Sequence, residues 1–363
     1  MNRRLLATAA VIFAWAALAV SIRLLGSTPT DARMFRTGAV LCGPDLYKYD
    51  RQAAVQTERG TFAPFMRAPF YALALRPLVR FDFRTAWYAV NAAALAALMF
   101  LLPAAVGRPK DWHLSLLTVF FLAFWLNLIL QQDGAIMTLA VAAGLLLLRE
   151  DRDALAGAVL ALTLQKPTLF LALPLVLLLK RRWRALAGYA AAGAALAAVS
   201  IAIIGFGAVH DYLDLVRRYE LTPYQMPTAR GIAANLGVPA LWPVLAVLGA
   251  ALMIWAIRKR ETGAAIAVAL AGALFVSPQS YGHDTAILIV PLAYFFQRGG
   301  TFLSAMELAL LFPPLHFAGA LPQPWALVYG LTFGLYFVAL ALDAPPGWRR
   351  LSACRVETPL DAQ

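Results

Sequence analysis

The chain has 363 residues, of which 61% are hydrophobic and 14% charged, with a mean hydropathy of +0.70. That balance excludes an ordinary soluble domain, because one aqueous core cannot bury so many apolar side chains, and it points to lipid as the solvent. The net charge of +12 is accounted for by cations at membrane boundaries, and no zinc-finger spacing or basic helix suggests a nucleic-acid partner.

In chain order, Leu5 to Leu25 reads as a retained first span, too long for the apolar part of a signal peptide and without a small-x-small cleavage site. Roughly 20 apolar residues make a span. On that basis about twelve are expected, at 5–25, 84–103, 112–130, 134–149, 153–165, 167–180, 184–207, 238–257, 261–276, 284–297, 300–313 and 324–343. This predicts an all-α polytopic bundle forming one domain over 1–343, with a tail at 344–363. Alternate connections hold Arg3-Arg4, Arg108 and Lys110, Arg149 and Arg152, Lys180-Arg181-Arg182 with Arg184, Arg258-Lys259-Arg260, Arg298, and Arg349-Arg350 with Arg355, which are 17 of the 31 lysines and arginines. The short connections on the other side hold only Lys166. The positive-inside bias then makes both termini cytoplasmic and the chain a multi-pass protein of the plasma (inner) membrane.

Two long segments, about 26–83 and 208–237, fall on the outer side. The first mixes aromatic residues with arginines, and short helices are expected from Asp31 to Leu41 and from Asp45 to Glu58. A substrate-facing role and a solvated surface loop are both open readings of it. In the second, Tyr212 to Tyr219 suits a helix on the membrane surface. Cys42 and Cys354 fall on opposite sides, so no disulfide is expected, and no Asp-x-Asp pair or His-rich cluster indicates a metal. The unusual polar residues Asp31, Gln131-Gln132-Asp133, Gln165-Lys166, Asn235 and His283-Asp284 all map to the outer face. Polar groups at membrane depth are costly and mark sites.

Four pieces carry a resemblance. They are Asp31-Ala32-Arg33-Met34-Phe35 with Asp45-Leu46-Tyr47, then Phe65-Met66-Arg67-Ala68-Pro69-Phe70, then Gln131-Gln132-Asp133-Gly134 followed by Ala156-Gly157, Lys166-Pro167 and Arg181-Arg182-Trp183-Arg184, and last Ser277-Pro278-Gln279-Ser280-Tyr281-Gly282-His283-Asp284. In this order the chain resembles glycosyltransferase family 87, of the GT-C type, over roughly 25–295. It departs from the family's Phe-x-Tyr-Pro-Pro at Arg67 and Ala68, and from its Gly-Gln-x-Asn at Gln131 and Gly134.

The resemblance implies an inverting transfer of a hexose, mannose in the family, from a polyprenyl-phosphate donor to a glycolipid or glycan acceptor at the outer face, with no cofactor. Such a reaction needs one base for the acceptor hydroxyl and cationic or hydrogen-bonding groups for the leaving phosphate. The base is assigned to Asp31. The leaving phosphate is assigned to Lys166 and His283, with Arg67 as a further phosphate ligand. Gln132, Asn235 and Asp284 are assigned to sugar hydroxyls or to orienting neighbours. Each has a plainer reading: Asp31 as a helix cap or counter-ion of Arg36, Lys166 as a snorkelling lysine before a helix-starting proline, His283-Asp284 as a cap, and Gln132 and Asn235 as interhelical hydrogen-bonding groups. A transporter or flippase of a lipid-linked sugar is the competing reading. It predicts internal repeats and midplane charges, whereas these charges gather at one boundary.

Overall fold

The computed structural model describes residues 31–56, 62–219, 221–296 and 300–343. The expected span 5–25, the flanking Arg3-Arg4, Arg298, the tail 344–363 and Cys354 lie outside the described residues. The rest is all-helical, at 77% helix, with no strand among the described residues.

Among the described residues, four helices are able by length and composition to cross a membrane: Phe83–Ala105, Trp183–Ile204, Leu241–Lys259 and Trp325–Leu342. A fifth candidate is Trp112–Phe120 with Leu122–Leu130, which bend by 44° about Phe121. The other expected spans are shorter. Gly134–Arg149 has 16 residues, about 24 Å of helix at 1.5 Å per residue. Asp153–Gln165, Pro167–Leu179, Thr262–Val276 and Thr301–Leu310 are likewise short, and 284–297 is a 3-10 turn over Gly282–Leu288 leading into Ile289–Phe295. Polar residues and prolines interrupt the apolar runs at the site end, which is where the helices stop.

Small residues set the packing, as expected where lipid supplies no drive for helices to associate. Helix Thr262–Val276 is rich in alanine and buried along most of its length. Helices Asp153–Ala161 and Trp183–Ile204 touch backbone to backbone. A Cβ at Gly157 would stand 1.8 Å from the Ala185 carbonyl oxygen, and one at Gly188 would stand 2.0 Å from that of Ala154.

Hydrogen bonds sort the helix termini into two sets. At one end Arg108 donates to the Phe296 carbonyl at 3.3 Å, Arg182 to Leu148 at 2.8 Å, and Lys180 to Arg258 at 3.1 Å. There too Arg260 donates to the carbonyls of Leu340, Ala341 and Asp343. At the other ends of these helices the Trp87 indole donates to the Gln131 carbonyl at 2.7 Å, the Phe70 amide to Ser200 Oγ at 3.3 Å, and Arg230 to the Pro278 carbonyl at 3.0 Å. The cation-rich connections thus share one end of the bundle, and the polar motifs share the other.

The described parts of segment 31–83, residues 31–56 and 62–83, form a packed layer at the motif end rather than a solvated loop. Phe35, Tyr47, Phe65, Tyr71 and Trp87 are buried in one cluster with Ile204, Ala208 and Leu215. Its helices are Ala32–Val40, Tyr49–Val55 and Pro69–Leu75. Gln52 pins the extended stretch between the last two, with its side chain accepting from Phe65 N at 2.7 Å and donating to Phe65 O at 3.1 Å. Helix Ala208–Arg218 lies over this layer, with Ala208 and Leu215 inward and Val209, Leu213 and Val216 outward.

The close approach of Gly188 to the Ala154 backbone predicts that Gly188→Leu destabilises the fold by overpacking, by about 1–3 kcal/mol or more. Thermal unfolding of the detergent-purified variant checks this, and an unchanged midpoint would mean the two backbones are not in contact.

Candidate active site

The site is built where four chain breaks meet. Helix Leu122–Leu130 ends at Gln131, whose φ of +55° is left-handed. A non-glycine residue there is strained and persists only where its surroundings hold it. Here the Trp87 bond to the Gln131 carbonyl and a 2.8 Å bond from Gln132 N to the Asn127 carbonyl do so. Asn127 is the hub of this corner. Its Nδ2 donates to the carbonyls of Ala123 at 2.8 Å and His283 at 2.6 Å, and its Oδ1 accepts from Gly134 N at 2.7 Å. The side chain fills the space a Cβ on Gly134 would need, at 2.4 Å.

From this corner a continuous polar path runs through three pairs of adjacent residues. Gln132 Nε2 donates to Asp31 Oδ2. Next to it, Asp133 accepts from Arg67 at 2.9 Å and from Gln165 at 2.7 Å. Next to Gln165, Lys166 donates to Asp284 Oδ1. Next to Asp284, His283 holds its Nε2 3.5 Å from the same carboxylate oxygen, and Asp31 lies within electrostatic reach of that imidazole. Arg67, Gln132, Asp133, Gln165 and Asp284 are all buried, while Asp31, Lys166 and His283 are partly exposed.

Two caps are not what they look like. Asp31 and Asp133 both stand at helix N-caps, yet neither carboxylate caps its helix. Asp31 uses its backbone instead, with its N–H donating to the Leu130 carbonyl at 3.0 Å. Among the described residues, its carboxylate takes a hydrogen bond from Gln132 alone. Asp284 does cap, accepting from Tyr281 N at 3.0 Å through Oδ2 while Oδ1 serves Lys166. Pro167 occupies the first turn after Lys166, as its fixed φ favours.

The structure brings together Asp31, Arg67, Gln132, Lys166, His283 and Asp284. Asn235 stands apart from this path, bonded to the carbonyls of Tyr224 at 2.8 Å and Gly231 at 2.9 Å, with its own carbonyl accepting from Gln323. Its segment still borders the site, since Thr222 N donates to the Tyr281 hydroxyl at 3.3 Å. Tyr219 lies close to Tyr281 as well. Burial first, then the neighbouring Tyr281 and Asp31, push its phenol up to about 12, so it remains a neutral donor.

Four contributors were not assigned roles from sequence. Asn127 and Asp133 carry the readable signal of a lone amide and a lone acid in apolar surroundings. Gln165 is visible only as the neighbour of Lys166. Tyr329, in the last described helix, looks like any apolar aromatic. Its hydroxyl is buried and unpartnered among the described residues and stands 3.1 Å from where a Cβ on Gly282 would be. Orphaned atoms cluster around Asp133 as well: Arg67 Nε, Gln131 Oε1, Gln132 Oε1 and Gln165 Oε1. Buried polar atoms rarely stay unpaired, so the cluster has hydrogen-bonding capacity left for water or a ligand. Among the described residues no three His, Cys, Asp or Glu side chains converge as metal ligands.

These features define an all-helical membrane protein with charged, hydrogen-bonding groups gathered at one end of its helices. The model of glycosyltransferase family 87 matches residues 62–278, more than half of the chain, and the chain belongs to that family. No curated protein and no solved structure matches it. The match covers Arg67, Gln132, Lys166 and Asn235 but stops short of Asp31 on one side and of His283, Asp284 and Tyr329 on the other.

The Arg67–Asp133 pair is buried and so is costly to break from one side. Arg67→Met is expected to lower stability by about 3–5 kcal/mol, and adding Asp133→Leu to restore much of it. A double-mutant cycle on unfolding measures the coupling, and additive losses would show that the pair is not formed.

Proposed function

We propose that this glycosyltransferase moves a hexose, with mannose as the expected sugar, from a polyprenyl-phosphate donor to the hydroxyl of a glycolipid or glycan acceptor. The proposed reaction takes place with inversion at the outer face of the plasma membrane. The observation that carries this reading is the polar path that joins Asp31 to Lys166 and His283.

In the proposed step the acceptor oxygen attacks the anomeric carbon as its O–H bond breaks, and Asp31 takes the proton. The bond from the anomeric carbon to the phosphate oxygen breaks, and its electron pair leaves with the polyprenyl phosphate. Gln132 holds one oxygen of Asp31, which orients the other toward the acceptor. Lys166 gives one of its three N–H donors to Asp284 and keeps the rest for the phosphate, beside His283. Arg67 contributes a positive field and an unpartnered Nε. The leaving phosphate is already anionic, so preformed donors rather than a general acid suit it. Asn235 and Asp284 serve the sugar hydroxyls or the groups that contact them.

The twelve-span GT-C-like bundle over 1–343, with outer segments 26–83 and 208–237 and a cytoplasmic tail at 344–363, belongs to the same proposal. What supports it is the sorting of helix termini: cations at one end and polar motifs at the other, the pattern the positive-inside bias produces.

Loss of a general base typically costs about 10²–10⁴-fold in rate. Membranes carrying Asp31→Asn are therefore expected to contain normal amounts of protein but to lose transfer from radiolabelled polyprenyl-phosphate mannose by that factor. Undiminished transfer would remove Asp31 from the mechanism. For the topology, Leu236→Cys in a Cys42→Ser/Cys354→Ser background is expected to react with an impermeant maleimide from outside intact cells, and Lys110→Cys only after lysis. The reverse pattern would invert the proposed orientation.

A further inference from the structure

A groove of about 650 Å³ opens between helix Ala32–Val40, helix Pro69–Leu75 and the turn Arg76–Arg80. It belongs to the motif end of the molecule. Helix Ala32–Val40 starts at Asp31, and the turn leads into helix Phe83–Ala105, whose first turns carry the Trp87 bond to Gln131. Its walls are Val40, Leu73 and Val79, all exposed, with Arg76 and Arg80 between them, and Phe81, the residue after Arg80, stands 69% exposed.

Three features define what would fill it. First, the arginines are uncompensated. Neither the Arg76 nor the Arg80 guanidinium has a hydrogen bond or ion pair among the described residues. The acid nearest in sequence, Asp82, has its carboxylate engaged with Thr85 N at 2.9 Å. Second, apolar side chains line the space between the cations, an arrangement that suits a headgroup attached to hydrocarbon rather than a free anion. Third, the position is the water boundary of a span, because the apolar helix begins at Phe83, immediately after the groove. Other cations of this end are paired, as Arg67 is with Asp133 and Lys166 with Asp284, whereas this pair faces the groove.

We propose that this groove binds the headgroup phosphate of an anionic membrane phospholipid, with Arg76 and Arg80 on the phosphate and the acyl chains against Val40, Leu73, Val79 and Phe81. Guanidinium forks match phosphate oxygens, and each cation contributes about 1 kcal/mol near an anionic lipid surface. The site is separate from the Asp31 path, so it stands whether or not the transfer reading does.

Native mass spectrometry of the full-length protein in micelles doped with phosphatidylglycerol tests this. The wild type is expected to retain phosphatidylglycerol in preference to phosphatidylcholine. Arg76→Gln/Arg80→Gln is expected to weaken retention roughly 30-fold at an unchanged unfolding temperature. Arg51→Gln, whose arginine faces Asp45 at 3.7 Å, is expected to leave it unchanged, and millimolar glycerol phosphate is not expected to compete. Equal retention by the double variant, equal retention of phosphatidylcholine, or displacement by glycerol phosphate would each overturn the proposal.

Discussion

Burial of opposite charges in pairs is the constraint on which the site depends. Lys166 and Arg67 stand at the helix ends of an apolar bundle, where an unpaired cation would cost several kcal/mol. Each is matched by one carboxylate, Asp284 and Asp133 respectively. Because Asp133 follows Gln132, Lys166 follows Gln165, and Asp284 follows His283, satisfying these pairs also fixes where Gln132 and His283 stand. The electrostatics of folding and the geometry of the site are therefore one arrangement. Asp31, whose carboxylate accepts a hydrogen bond only from a neutral amide among the described residues, is the acid that the proposed mechanism uses as base.

The short helices follow from the same arrangement. An apolar helix that stops early, as at Leu130, Gln165 or Val276, leaves backbone groups and a loop that a membrane tolerates only where protein or water lines them. The loops from these breaks satisfy one another through Asn127, Gln165 and Asp284. Above them the aromatic layer of Phe35, Tyr47, Phe65 and Tyr71 covers the corner, with helix Ala208–Arg218 lying across it.

Much of this was legible in the sequence. The mean hydropathy required a membrane protein, and the alternation of Arg/Lys clusters foretold which connections would meet. Asp31, Gln132, Lys166 and His283-Asp284 stood out as polar groups at the ends of apolar runs, and they do converge. The departures from the family pattern were legible only as departures. Arg67 makes physical sense once Asp133 is seen beside it, Gly134 once Asn127 fills the space its Cβ would need, and Gln131 in its left-handed backbone once Trp87 is seen holding it. Such compensations join residues far apart in the chain, and one sequence carries no record of that. Tyr329 gave no signal for the same reason, and the sequence did not show that Asn235 ties its own helix to Tyr224 and Gln323.

An experimental structure with a non-hydrolysable polyprenyl-phosphonate sugar would test the central claim most directly. The account predicts the phosphonate within hydrogen-bonding distance of Lys166 Nζ and His283, with the anomeric carbon open to attack from the side of Asp31. A phosphonate bound instead among Arg108, Lys180 and Arg258, at the opposite end of the helices, would contradict it.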